Sequence, residues 1–524
     1  MPCLPPRRVP ALLLAPACWA LLAACPAAAP GFATGDDDDD APAPHGVLAV
    51  ADAWTPSVEI RSQYDDRISF VHGTALPDGA LLYTVMNPYQ DPDEAGPRTS
   101  TPFIRLDPRA GILADGGEGG DVLRVDLVEP PRTWQGVEGS LDDFENWLCA
   151  GHTLLEDGRV FYAGGLALWP SGDAERHAPG APPEDWHIGG IRQAVVMDAA
   201  GDSFDSASFE HLDAMPQGRR YYPTALRLAD GRVLVAGGLD DDPHPSYGAE
   251  IWDPADGSWS ALVPDVPGLE TLPASDPRAF LVGAGPPTQY LQMHRLVTPL
   301  QAGSPVDNAR SRQILAIGDD GYLHFLDAEG APGLDAIYRP DAARRPGLPE
   351  APGDDRFVDG TSLTLPDGRV MLATGSAYQA LGQRIDLYDP DPESPTFGEW
   401  SGFDLCDAEG TCSPRAKAQA VLLPDGRAVV LGGHIKPEWT TADTAPLRQP
   451  AIVDWRTGDV RFGAAWDGDH VRENHLVVLL LADGRLLVSG GWDNPVGCPD
   501  GYLFCLPERT DLQFYEPDYL SPSQ

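Results

Sequence analysis

One phrase recurs along this chain and constrains its fold more than any other feature. "LPDGALLYTV" starts at Leu76, "LEDGRVFYAGG" at Leu155 and "LADGRVLVAGG" at Leu228. "LPDGRVMLATG" starts at Leu365, "LPDGRAVVLGG" at Leu423 and "LADGRLLVSGG" at Leu481. The last three turn aspartates, Asp367, Asp425 and Asp483, are evenly spaced 58 residues apart. Between Asp230 and Asp367 there is room for one more unit, and "RQILAIGDDGYLHFLDAEG", from Arg312, fits as a degenerate copy. That makes seven. Each unit reads as an apolar strand entering Asp-Gly, a two-residue hairpin turn favoured because both positions tolerate positive φ. A second strand of β-branched or bulky residues follows, often ending in Gly-Gly where backbones can crowd together. Two more strands complete the unit, the later one ending in an aromatic and an Asp-Pro-type turn, as in "YGAEIWDPADGSW" (247–259) and "RIDLYDPDPESPTFGEW" (384–400). One such unit cannot bury both of its faces. Neighbours must stack, and radial closure removes the exposed sheet edges. Seven four-stranded units predict an all-β chain, a seven-bladed β-propeller over residues 46–524. Insertions lengthen the first three units. Two sandwiches in tandem, the other all-β arrangement, give no reason for the recurring turn.

The N-terminal end reads differently. Arg7 and Arg8 precede the apolar "ALLLAPACWALLAAC", the pattern of an export signal over residues 1–25. Leu22-Ala23-Ala24-Cys25 resembles a bacterial lipobox, which implies lipidation at Cys25; the alternative is ordinary cleavage near "AAAPGFA". Cys3 and Cys18 leave with the signal. Residues 26–45 contain "GDDDDDAPAP", an acidic, Pro-rich tether with too little apolar content to fold. No later segment has the apolar length of a membrane span. The expectation is an exported protein, extracellular or an outer-membrane or periplasmic lipoprotein, touching the membrane only through a lipid. A formal charge of −43 argues against nucleic acid, polyanionic substrates and anionic membrane surfaces. An exported setting permits disulfides. Cys406 and Cys412 frame "DAEGT", and Cys498 and Cys505 frame "PDGYLF". Both pairs are close enough for local disulfides. A zinc site is the rival, but no histidine motif accompanies them. Cys149 is left odd.

Counting back from the turn aspartates gives the odd cysteine a context. Cys149 lies eight residues before Asp157, Tyr222 eight before Asp230 and His475 eight before Asp483. Phe70, Asp359 and Lys417 hold the same position in other units. In a propeller the first strand of each blade lines the central channel, so these residues are expected at one mouth of it. Imidazole nitrogen with phenolate oxygen suits Cu(II). The structural alternative is a buried Cys acting as a small hydrophobe, with Tyr and His hydrogen-bonded to each other or to water.

"Gly237-Gly238 … Tyr247 … Trp259" resembles the kelch repeat. Beyond that, "LCAGHTLLEDGRVFYAGG", "GRRYYPTALRLADGRVLVAGG" and "NHLVVLLLADGRLLVSGG" resemble segments of the galactose oxidase and glyoxal oxidase family of copper radical oxidases. The resemblance runs from about residue 60 to the end and implies a seven-bladed kelch-like propeller. It further implies that Cys149 forms a thioether with Tyr222, that Tyr222 and His475 bind one copper ion, and that Cys498 and Cys505 close a small loop. "LQFYEPDYLSPSQ" resembles the family's exit into a C-terminal sandwich domain. Two positions depart from the pattern. Asn474 stands where the family has an axial tyrosine, and the chain stops at Gln524, where the domain carrying a further copper histidine should begin. His470, His294 and His152 are other sources of nitrogen, but none matches a family position.

Two functions follow. The resemblance implies a secreted copper oxidase that takes a primary alcohol or aldehyde with O2 to H2O2, impaired because Asn474 cannot act as a phenolate base. The alternative is a non-catalytic kelch-propeller lipoprotein binding carbohydrate or a surface partner, with Trp147, Tyr221 and Trp492 as stacking aromatics or as blade packing. A monomer is expected. A hydrolase is disfavoured, because no paired carboxylates fall in phase around the channel.

Overall fold

The computed structural model describes residues 52–65, 67–86, 101–110, 122–130, 146–170, 186–201, 203–241, 244–246, 249–261, 291–296, 313–317, 323–327, 360–374, 382–391, 394–433, 445–466, 472–492 and 509–520. Contacts divide the chain after Leu48, and all of these residues belong to the unit Ala49–Gln524. The leader, the tether and Cys25 lie outside them, as do His470, Cys498 and Cys505. The architecture is all-β, with several small antiparallel sheets and short 3-10 turns.

The repeated phrase explains the strands. After each Asp-Gly comes a four-residue apolar run, such as Val160–Ala163, Val233–Ala236, Val370–Ala373 and Ala428–Leu431, and every residue of these runs is buried. A strand buried on both faces reads as a continuous apolar run rather than an alternation. The strand before the turn is only partly buried, as in Thr361–Thr364 and Gln419–Leu422. Among the described residues seven sheets each begin with such a strand: Ser69–Ala75, Gly151–Leu154, Thr224–Arg227, Gln292–Arg295, Thr361–Thr364, Gln419–Leu422 and Glu473–Leu480. All seven contribute to the wall of one cavity of about 610 Å³. The last of these sheets is assembled from both ends of the described chain. Val58–Ser62 pairs antiparallel with Asp511–Glu516, with Val58 opposite Leu512, and parallel with Val122–Val125. The insertions in the second and third units form an eighth sheet, in which Gly189 pairs with Asp241.

The turn differs from the two-residue hairpin expected of Asp-Gly. In each of the six clear copies the glycine N–H donates to the leucine carbonyl three residues back, as Gly158 does to Leu155 at 3.2 Å. The leucine N–H donates in turn to the carbonyl beyond the glycine, as Leu155 does to Arg159 at 2.8 Å. Only the glycine has positive φ, 91° at Gly158. This is a three-residue loop with a glycine bulge. The turn aspartates are not among the described residues with positive φ, and their carboxylates are engaged within the turn. At Asp157 the carboxylate accepts from Arg159 N at 3.0 Å and from Arg159 Nε at 2.7 Å. The same pair recurs at Asp230, Asp367, Asp425 and Asp483. The "DGR" triplet is therefore one electrostatically tied turn.

The degenerate unit also differs. Its Asp-Gly lies between Gln313–Ile317 and Leu323–Asp327, which pair as the second and third strands of their sheet. The cavity-lining strand is Gln292–Arg295, upstream of the phrase. Polar Gln292 and His294 on that strand masked it as part of a repeat.

The Gly-Gly pairs mark close approaches between backbones. A Cβ at Gly490 (φ 64°) would meet His475 O at 2.6 Å and Phe70 O at 2.7 Å. Both atoms are main chain and cannot swing aside. Gly490→Ala is therefore expected to destabilise the protein by about 1–3 kcal/mol, read as a lower urea midpoint, whereas Gly257→Ala, with open space around its Cβ, bears only the strain of its φ of 73°.

Candidate functional site

Six non-glycine residues among those described have positive φ. Four of them are Cys149 (59°), Tyr222 (61°), Lys417 (55°) and His475 (57°), the residues that stand eight before their turn aspartates. Left-handed backbone is uncommon for such side chains. Cys149, Tyr222 and Lys417 each precede their inner strand by two residues. His475 sits within Glu473–Leu480 at a register shift between Glu473 and Leu476. Phe70 shares the phase but not the conformation; its strand shifts register between Phe70 and His72 instead. Asp359 lies outside the described residues.

A shared support lies beneath three of the four. Arg220 stands two residues before Tyr222, Arg415 two before Lys417 and Arg472 three before His475. All three are fully buried. Each donates Nη1 to the carbonyl of a Gly-Gly first glycine: Gly237 at 2.9 Å, Gly432 at 3.3 Å and Gly490 at 2.7 Å. Arg220 also pairs with the buried Glu250 at 3.0 Å, and Arg472 with Asp511 at 2.9 Å. Arg415 donates to the carbonyls of Val430 and Gln449, and burial pushes it down to about 9. These arginines hold the segment that carries each left-handed residue. The signal was present in "RRYY" and "RAKA", but only the buried geometry reveals what the arginines do.

Tyr222, Lys417 and His475 line the common cavity. Cys149 is not on its wall. It is buried in a cluster with Leu166, Tyr221 and Leu239, against which Tyr222 packs, and is the free cysteine among the described residues. Tyr222 N donates to Cys149 O at 3.0 Å. The Tyr221 hydroxyl donates to the Tyr222 hydroxyl at 2.6 Å, with ring centroids 3.7 Å apart. Tyr221, expected as a stacking aromatic or as packing, is buried in that cluster and sets its phenol against Tyr222. Trp147 is fully buried in a hydrophobic cluster with Val160, Tyr162 and Val195.

The cavity also holds imidazoles. His152 stacks on Tyr162 at 5.0 Å and lies 5.1 Å from His72. Burial pushes His152 down to about 4, while hydrogen bonds with the Gly73 and Ala150 backbone act the other way. His72 is held well below its ordinary value by burial and by the His152 and His475 charges. His294 faces Ser362 Oγ at 2.6 Å and Thr364 Oγ1 at 3.1 Å, and burial lowers it to about 4. These rings are neutral at pH 7. Away from the cavity, Cys406 and Cys412 form a disulfide with Cα atoms 4.0 Å apart.

No family model matches the chain. A WSC domain-containing protein of Arthroderma benhamiae is 25% identical over 385 residues, 68% of this chain and 34% of that protein. The chain thus spans about a third of the length of that relative. A fungal alcohol oxidase of the AA5 family, solved in complex with copper, superposes with a TM-score of 0.50 at 18% identity, covering 89% of this chain and 77% of that one. The chain shares the fold of a copper alcohol oxidase. Among the described residues no group of three or more His, Cys, Asp or Glu is placed to hold a metal ion. Asn474 lies in the same strand as His475. No helix among the described residues is long and apolar enough to cross a membrane.

Proposed function

We propose that the chain is an exported, seven-bladed kelch-like propeller of the galactose oxidase and glyoxal oxidase type. In this reading Cys149 and Tyr222 are joined by a thioether, and Tyr222 and His475 hold one copper ion. One observation carries it: Cys149, Tyr222 and His475 share a repeat phase and a left-handed backbone in a chain with the fold of a copper alcohol oxidase. Tyr222 and His475 also border one cavity. The donor set fits, since phenolate oxygen with imidazole nitrogen suits Cu(II). The WSC domain-containing relative and the fungal oxidase are compatible with an extracellular protein.

Copper, when bound, supplies one oxidising equivalent, and the modified Tyr222 supplies the other. With that group in place, Tyr222 would be the residue to accept the hydrogen of the carbinol carbon, the Tyr221 hydroxyl would keep its hydrogen bond to the Tyr222 oxygen, and the cavity that both Tyr222 and His475 line would hold the substrate. Overall a primary alcohol and O2 give an aldehyde and H2O2. Asn474 carries an amide where the family has a phenolate, so removal of the hydroxyl proton lacks its usual base and turnover is slow. Forming the thioether takes one hydrogen from the Cys149 thiol and one from the Tyr222 ring and delivers both to O2. Peptide mass spectrometry after exposure to copper and air is expected to find a linked Cys149–Tyr222 peptide, lighter by two hydrogens. Unlinked peptides throughout would sink the oxidase reading and favour the carbohydrate-binding propeller.

A further inference from the structure

We propose that Ser362 and His294 are a nucleophile and its base on the cavity wall, and that the cavity hydrolyses small acyl esters. Neither copper nor Tyr222 enters this chemistry, so it stands apart from the oxidase reading.

The pair bridges two neighbouring sheets. His294 lies on Gln292–Arg295 and Ser362 on Thr361–Thr364, each the first strand of its sheet. Ser362 Oγ stands 2.6 Å from His294 Nε2, and Thr364 Oγ1 stands 3.1 Å from His294 Nδ1. Ser362 and Thr364 are two residues apart on one strand, so their side chains share a face. With the ring proton on Nδ1, that N–H donates to Thr364 and Nε2 accepts from the Ser362 hydroxyl. A hydroxyl within reach of a base, with the base oriented by a third group, is the signature of an activated nucleophile. Burial lowers His294 to about 4, so at neutral pH the ring is in the form that accepts a proton.

Both residues line the cavity of about 610 Å³, which has room for a small ester. The Ser362 main chain faces it too. Leu365 N–H donates to Arg369 O within the sheet. Backbone groups alternate in direction along an antiparallel strand. Those of Leu363 and Thr361 therefore follow Leu365 toward Val370–Ala373, and the Ser362 N–H points to the outer edge. A donor there can meet the oxyanion of a tetrahedral intermediate.

In the first half-reaction Ser362 Oγ bonds to the ester carbonyl carbon as its proton moves to His294 Nε2. The bond from that carbon to the alkoxy oxygen breaks, and the proton leaves with the alcohol. Water then attacks acyl-Ser362 and gives a proton to His294, which returns it to Ser362 Oγ. Overall an ester and water give a carboxylic acid and an alcohol. Thr364 acts through His294 and is a positioning residue.

The test uses the full-length chain, freed of metal by chelation, with p-nitrophenyl acetate as the probe. Wild type is expected to release a burst of p-nitrophenol of about one equivalent, and peptide mapping of the quenched protein to find Ser362 acetylated. Ser362→Ala is expected to abolish the burst and to lower kcat/KM at least about 100-fold, and His294→Gln to lower it by a similar factor. Thr364→Val should lower it about tenfold, the loss of one hydrogen bond, while Thr364→Ser keeps the hydroxyl and restores the rate. Should a variant misfold by circular dichroism, the acetylation map of wild type decides by itself. Acetyl groups only on other residues, or a burst undiminished in Ser362→Ala, overturns the proposal and leaves the three side chains as a tie between sheets. Either outcome leaves the linked-peptide test of the oxidase reading untouched.

Discussion

Replacing Tyr222 by phenylalanine is expected to lower peroxide release from primary alcohols and aldehydes by about three orders of magnitude, roughly 4 kcal/mol of barrier. The substitution is narrow. It keeps the ring that packs against the cluster of Cys149, Leu166, Tyr221 and Leu239 and the backbone hydrogen bond to Cys149 O at 3.0 Å. What it removes is the phenol oxygen, which faces the Tyr221 hydroxyl at 2.6 Å and is the proposed copper donor. The thioether should disappear with it. Tyr221→Phe is the matched control. It deletes one hydrogen bond on that oxygen and leaves the donor in place, so its effect should be about tenfold, in keeping with one hydrogen bond of roughly 1–2 kcal/mol. An amperometric peroxide assay on the three proteins, at equal copper loading, decides the matter. A Tyr222→Phe rate within tenfold of wild type would remove Tyr222 from the chemistry.

The largest stability effect is expected at Arg220. Both Arg220 and Glu250 are completely buried, joined through Nη2 at 3.0 Å and Nε at 3.2 Å. Glu250 Oε2 also accepts from Gln217 N at 2.9 Å. Arg220→Met leaves a carboxylate in the interior without its cation, and breaking a buried pair in this way costs about 3–5 kcal/mol. The double variant Arg220→Met with Glu250→Leu removes both charges and should recover much of that loss. Urea midpoints for the two variants check the sign. If Arg220→Met alone shifts the midpoint no more than a surface substitution, the guanidinium is not the support beneath Tyr222 that its hydrogen bonds describe.

The fold was legible because it is repetitive. Six copies of a turn phrase carry their own strand boundaries, and the apolar runs after them can only be buried on both faces. In the degenerate unit near Arg312 the phrase joins the second and third strands, and the cavity-facing strand, Gln292–Arg295, was not legible because it is largely polar. The turn type was not legible because Asp-Gly serves both hairpins, and only the pairing of each leucine with the residue beyond the glycine, Ala80 as well as the arginines, distinguishes the three-residue loop. The candidate site was legible as a phase. Counting eight residues back from the aspartate found Cys149, Tyr222, His475 and Lys417 without a structure.

The chain's own order of residues determined that it would be all-β, where the sheets would turn, and which residues would share one position in successive units. Those are local matters, set by side-chain period and turn chemistry within a few residues of chain. Only the tertiary structure decided that four of these positions adopt a left-handed backbone, that buried arginines support three of them, that Tyr221 lies against Tyr222, and that His294 meets Ser362 and Thr364. These follow from contacts between segments distant in sequence, where burial and main-chain crowding between neighbouring sheets set which atoms meet.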